Sequence, residues 1–221
     1  VSRAAVAKRL ASLYDRPSLR SYVRWKVRGD PAYDAVLQKL RGQDQPLLDL
    51  GCGVGLLAFY LREHDVQAPI IGIDFDQRKV DVARRAATRY RNIDFIAGDA
   101  RSALPEQHNV VLLDLLHYLD PESRTQLLAN VARAAPPGGI VVIRQGIRDA
   151  SWRYRMTSAV DALGRAIRWM KAEHLTYPTR EEITDAFAGF DAEITPLWGR
   201  TPYNNYLFVF RRAASSGITN A

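Results

Sequence analysis

The sequence predicts an α/β protein, with a doubly wound, mostly parallel sheet of seven strands closed by an antiparallel hairpin. Three observations predict it. From Pro46 onward, short apolar runs alternate with helical stretches, the order that builds a parallel sheet covered on both faces. The first apolar run ends in a glycine-rich turn, Asp49-Leu50-Gly51-Cys52-Gly53-Val54-Gly55, that opens a helix. Near the end of the chain, two strand-like runs flank a loop rich in Pro, Trp, Gly, Tyr and Asn, as in a hairpin.

Taken in order, residues 2–41 read as two helices broken near Arg16-Pro17 and Gly29-Asp30-Pro31. Asp30 suits an N-cap, with Pro31 at the first helical position. Strands are expected at 46–50, 69–74, 92–97, 109–113 and 139–144, with helices at 54–64, 76–90 and 121–135 between them. Pro136-Pro137-Gly138-Gly139 is the turn into the fifth strand. A basic, aromatic helix spans 148–172. Thr179 with Glu182 forms a capping box that opens a helix ending near Gly189. The hairpin strands are 192–195 and 206–211. These elements divide the chain into an N-terminal helical cap at 1–45, a core at 46–212 carrying a helical lid insertion at 146–178, and a mobile tail at 213–221.

Composition bounds the possibilities. A chain of 221 residues suffices for one well-buried α/β domain and is marginal for two. No apolar run approaches the length of a membrane span, and the first residues lack the apolar core of a signal peptide. The single cysteine, Cys52, excludes an internal disulfide and fits a reducing cytoplasm. His and Cys are too few and scattered for a typical zinc site, so no metal is expected. Net charge is +7, concentrated at 1–28 and at 144–171. A solvated arginine-rich surface and a face for an anionic partner both account for it.

The glycine turn decides the ligand class. Its glycines let the backbone turn sharply and approach a ligand with no Cβ in the way, while the free amides of the following helix face that ligand. A dinucleotide site wants a third glycine where Leu56 stands, and a P-loop wants Gly-Lys-Ser/Thr. Neither is present. The carboxylate of Asp49 would repel a pyrophosphate and suits an ammonium or sulfonium. Asp74 ends the second strand, 25 residues after Asp49, where it can accept bonds from ribose hydroxyls. Phe75 follows and can pack on a flat base. Asp74 and Asp99 also suit helix or turn caps.

The pattern Asp-x-Gly-x-Gly-x-Gly at 49–55 resembles the first motif of the class I S-adenosylmethionine-dependent methyltransferases. Residues 70–74, Gly98-Asp99-Ala100, 110–118 and 136–139 resemble the later motifs, and the likeness covers about residues 46–211. It implies a Rossmann-like fold, S-adenosyl-L-methionine as cofactor, and Asp49, Gly51, Cys52, Gly53, Gly55, Asp74, Phe75, Asp99, Ala100, Asp114 and Leu115 as its binding residues. Asp99 would take the adenine amino group, and the segment around Asp114 would wall the methyl-donor side.

Methyl transfer from a sulfonium needs alignment and exclusion of water more than activation of the donor. Where the acceptor needs a base, His117 is best placed, with Tyr118 beside it and His174 a further candidate. A histidine at this point also suits a wall or hydrogen-bonding role. Arg24, Arg144, Trp152, Tyr154, Arg155, Trp198, Tyr203 and Asn204 are candidates for holding an aromatic or conjugated acid, while Trp169 reads as a core residue. The segments 21–25, 149–155 and 197–206 resemble methyltransferases of bacterial aryl polyene pigment clusters. That resemblance implies an aryl or polyene acyl acceptor in secondary metabolism, carried by an acidic acyl carrier protein or free. The rival readings are an RNA methyltransferase and a non-catalytic cofactor-binding protein. The chain lacks the Asn/Asp-Pro-Pro-Tyr/Phe motif of many amino-directed nucleic-acid enzymes, so no stable nucleic-acid complex is expected.

Overall fold

In the computed structural model the described residues are 2–166, 175–199, 201 and 203–214. Three helices come first: α1 (Arg3–Ala11), α2 (Pro17–Gly29) and α3 (Ala32–Leu40). The sequence suggested two. Both proline-marked breaks end a helix, so two breaks leave three. Asp30 does cap, its Oδ1 accepting the Ala32 N–H at 2.9 Å.

The alternating region follows as β1 (Leu47–Leu50), α4 (Leu56–Arg62), β2 (Ile70–Asp74), α5 (Gln77–Ala86), β3 (Ile93–Ala97), β4 (Asn109–Leu113), α6 (Pro121–Ala134) and β5 (Ile140–Gly146). Then come α7 (Trp152–Ala166), α8 (Arg180–Thr184), β6 (Phe190–Pro196) and β7 (Asn205–Arg212). The seven strands form one sheet in the order β3-β2-β1-β4-β5-β7-β6. β1 pairs parallel with β2, placing Asp49 opposite Gly72, and β2 pairs parallel with β3. β7 is antiparallel to β5 and to β6, so the closing hairpin is present with strands longer than expected. The helix expected over 148–172 begins at Trp152; residues 167–174, with Trp169 and His174, lie outside the described residues, as does the tail beyond Ala214.

The chain divides into two compact units. One runs through the N-terminal helices to Ser102 and includes Val111–Leu113; the other holds Ala103–Val110 and the chain from Asp114 onward.

In the first unit, α4 is buried from Leu56 through Leu61. A helix apolar on every side needs cover on every side, and the N-terminal helices supply part of it. Tyr14 is buried and donates its hydroxyl to the Val54 carbonyl at 2.9 Å. Arg9 pairs with Glu63 at 2.5 Å, and the Tyr60 hydroxyl bonds Asp34. The expected cap therefore buttresses the helix that follows the glycine turn.

In the second unit, β5 is buried along its whole length. Buried Arg124 on α6 fastens two loops together. It donates to the carbonyls of Leu116 at 3.3 Å, Leu119 at 3.1 Å and Thr176 at 2.5 Å, and it pairs with Glu182 at 2.5 Å. The capping box forms, with the Glu182 N–H bonding Thr179 Oγ1 at 3.2 Å.

Candidate cofactor and acceptor sites

The first unit carries the glycine turn. Gly51, Gly53 and Gly55 all adopt positive φ, at 77°, 58° and 86°, a region that L side chains enter at a cost. Their surroundings differ. A Cβ on Gly55 would sit 2.6 Å from Phe95 Cζ, whereas a Cβ on Gly53 would meet nothing within 4 Å. Gly55 is therefore glycine for packing, and Gly53 borders open space. The amides of Gly51 and Cys52 are spent on the Ile73 carbonyl, at 2.7 and 3.2 Å. Burial pushes the Cys52 thiol up, which leaves it protonated and inert.

Asp49 is the singular residue of this unit. It is 3% exposed, and its Oδ2 has no hydrogen-bond partner. Burial, with the charge of Asp74, pushes its carboxyl up to about 7. Asp74 is better served: Oδ2 accepts the Gly53 N–H and Oδ1 the Asp76 N–H, both at 2.9 Å. Each oxygen keeps a lone pair. Phe75, just beyond Asp74, is 79% exposed. Asp99 pairs with Arg101 at 2.6 Å, which holds its carboxyl below the usual range; Ala100 follows in the same loop. Arg24 also belongs to this unit. With Ser21, Trp25, Arg28 and Gly29 it lines a shallow hollow of about 500 Å³ on α2.

The second unit carries the remaining candidates. Asp114 adopts φ 56° just after β4, a conformation Asp tolerates better than most residues. Its N–H bonds the Arg144 carbonyl at 2.9 Å, and its carboxylate pairs with the buried Arg144 guanidinium. Leu115 leads into the 3-10 turn Leu116–Tyr118. His117 is 8% exposed, stacked on Tyr177 at 5.3 Å and tilted against Tyr118 at 4.2 Å. Tyr154 meets Tyr177 edge-on at 6.0 Å. Burial lowers the His117 ring to about 4, with the Arg124 charge acting in the same direction, so it is neutral at physiological pH.

Trp152 and Trp198 flank the Arg153 guanidinium, at 4.8 and 4.3 Å. Arg153 belongs both to the basic stretch 144–171 and to the segment 149–155. Arg155 is exposed, and Tyr203 half-buried. Asn204 is buried and structural, its Nδ2 donating to the Ile147 carbonyl at 3.0 Å. Sequence reasoning missed Tyr177, and it left Gln145 without a role. Tyr177 sits where any side chain on Gly146 would clash, with its Cε1 2.8 Å from a Cβ there. Only the glycine ending β5 hinted at it.

Residues 47–139 match the family model described as a methyltransferase domain. Over that segment the chain is similar to a methyltransferase domain. Among curated relatives, the carboxy-S-adenosyl-L-methionine synthase of Actinobacillus succinogenes is 32% identical over 111 residues, 48% of this chain and 46% of that protein. The synonymous synthase of Shewanella sediminis is 29% identical over 108 residues, 46% of this chain and 44% of its own. The chain thus spans about half the length of the curated relatives it matches. Among solved structures, magnesium protoporphyrin IX methyltransferase from Synechocystis PCC 6803 superposes with TM-score 0.69 at 17% identity, covering 95% of this chain and 94% of that one. The pyocyanin biosynthetic protein PhzM gives 0.68 at 22%, covering 92% and 61%. These structural likenesses establish the methyltransferase fold.

S-adenosylmethionine is the cofactor of such a domain, and the methyltransferase residues present fit it. A buried carboxylate oxygen without a partner suits a cation, and the open side of Gly53 leaves room for a ligand. The described residues hold no cluster of His, Cys, Asp or Glu suited to a metal, and no described helix is long and apolar enough to cross a membrane.

Proposed function

We propose that this chain transfers a methyl group from S-adenosylmethionine to a small acidic acceptor with an aromatic or conjugated body, on oxygen or carbon. The observation that carries the reading is the aromatic cluster of His117, Tyr118, Tyr154 and Tyr177, with the buried Arg144 two residues before Gly146. Rings stack on conjugated ligands and guanidinium groups bind carboxylates. Asp49 would hold the cofactor's ammonium, Gly51 and Gly53 its flank, Asp74 the ribose, and Phe75 with Asp99 the adenine. Bound there, the cofactor supplies an already activated methyl group. The chain's own residues hold it, orient the acceptor and keep water out.

The acceptor is free or borne on an acidic acyl carrier protein in a secondary-metabolite pathway of the aryl polyene kind, and the location is cytoplasmic. The basic run at 1–28, where Asp15 is the one acid, supports an anionic partner. Labelled methyl transfer to a cell extract, read by mass spectrometry, tests the proposal. A labelled aromatic or polyene acid supports it; a labelled RNA, or cofactor binding with no turnover, replaces it with one of the rival readings. A second reading follows from the curated relatives: the cofactor itself becomes carboxylated, as the name carboxy-S-adenosyl-L-methionine synthase states. Gain of a carboxylate on the recovered cofactor, seen by mass spectrometry, would favour it.

A further inference from the structure

Gln145 is wholly buried. Its Oε1 accepts the Leu116 N–H at 3.0 Å. That contact fixes the direction of the amide, because the opposite orientation would set two donors against each other. Nε2 therefore faces His117 Nδ1 at 3.0 Å and the Gly146 carbonyl at 3.2 Å. An amide NH2 only donates, so Nδ1 is the acceptor and the ring proton of neutral His117 resides on Nε2. That Nε2 has no partner among the described residues.

Two carboxylates close to His117 and Gln145 in sequence, Asp114 and Asp149, are engaged. Asp114 is paired with Arg144, and Asp149 accepts the Ser151 N–H at 2.9 Å at the start of α7. Where a base was expected, the unit presents a donor.

We propose that Gln145 is a positioning residue that holds His117 as an Nε2–H donor, and that the methyl acceptor is accordingly a carboxylate, converted to its methyl ester. The inference rests on the methyl-transfer reading above and narrows its acceptor atom. A carboxylate is ionised at neutral pH. One of its oxygens bonds the methyl carbon, the electron pair of the broken C–S bond stays with sulfur, and no proton has to leave. The other oxygen accepts the Nε2–H. A phenol or alcohol would instead need its proton removed, and the Nδ1 lone pair of His117 is already occupied.

Two measurements decide it. Long-range ¹H–¹⁵N spectra of histidine-labelled wild-type protein at pH 7 should show His117 protonated on Nε2 and bare on Nδ1. Gln145→Glu, checked for native circular dichroism, should move the proton to Nδ1, because a carboxylate accepts there, and should raise the titration midpoint of the ring. A His117 protonated on Nδ1 or on both nitrogens in the wild type overturns the positioning role, whether or not the variant folds. For the acceptor, the labelled product from cell extract is treated with mild alkali. Methyl esters release the label as volatile methanol. A label that stays bound as an ether or C-methyl group overturns the carboxylate assignment and leaves the methyltransferase reading standing. No labelled product at all overturns both that reading and the ester, and the spectra still decide the tautomer.

Discussion

Asp49 gives the most exacting test of the cofactor placement. With its carboxyl pushed up to about 7, the free protein holds Asp49 largely protonated in mild acid. A ligand ammonium needs the ionised form. If only that form binds, apparent affinity falls by a factor of 1 + 10^(7 − pH), so from pH 7.5 to pH 6 the dissociation constant should rise about eightfold. The ligand's own amino group stays mostly charged over that range. Binding at pH 6.5 should release about three-quarters of a proton. Calorimetry with S-adenosylmethionine in buffers of different ionisation enthalpy reads both quantities. Asp49→Asn should abolish the pH dependence and weaken binding at pH 7.5 by about 1.5–3 kcal/mol, the worth of a charge-assisted hydrogen bond. Wild-type affinity that is flat between pH 6 and 7.5, with no proton released, would refute the assignment of Asp49 to the ammonium.

Three further outcomes are expected. Gly53→Ala should cost only about 1 kcal/mol of stability, from its φ of 58°, yet impair cofactor binding by filling the open side, while Gly55→Ala should cost about 1–3 kcal/mol more through the clash with Phe95; chemical denaturation and calorimetry separate the two. Between pH 4 and 7 the buried groups oppose each other: His117 lends about 3 kcal/mol that is lost as pH falls from 6.5 towards 4, and Asp49 withdraws about 4 kcal/mol as pH rises from 4 towards 7. Unfolding of Asp49→Asn should therefore show stability rising more steeply with pH than in wild type, and a profile unchanged by the substitution would contradict the burial argument. Turnover on a carrier-bound acceptor should drop as salt rises through the physiological range and fall in Arg24→Ala, whereas salt-independent turnover would remove the basic surface from catalysis.

Much of this was legible in the sequence because it depends on local pattern. Strand and helix order follows from apolar period, and the breaks at Pro17 and Pro31 follow from backbone chemistry. The acid at Asp49, the glycines and Asp74 stand on consecutive elements, and motif spacing reaches them. What stayed hidden depends on contacts remote in sequence. Tyr177 lies 60 residues from His117 and stacks on it only because Arg124 and the Thr176 N–H, 3.0 Å from the His117 carbonyl, fasten the two segments. The sequence could nominate His117 as a proton acceptor from its residue type. The tautomer was beyond reach, being set by an amide 28 residues away.

The same contrast bears on why the two units treat their buried titratable groups differently. Asp49 is left with an unpaired oxygen, whereas His117 is clamped by Gln145, and Arg124 donates to three carbonyls and pairs with Glu182. An unpaired buried polar atom costs about 1–3 kcal/mol, and a chain selected for stability alone would place Asn or a hydrophobe at position 49. The cost makes sense where a ligand brings the missing charge: binding then recovers desolvation already incurred in folding, and the site is rigid before the ligand arrives. His117 needs no such recovery. Its proton is fixed in advance by neutral partners, and its free Nε2–H asks only for an oxygen lone pair. Under the proposed ester formation, a cation to be captured and an oxygen to be aligned are the two requirements the chain has to meet.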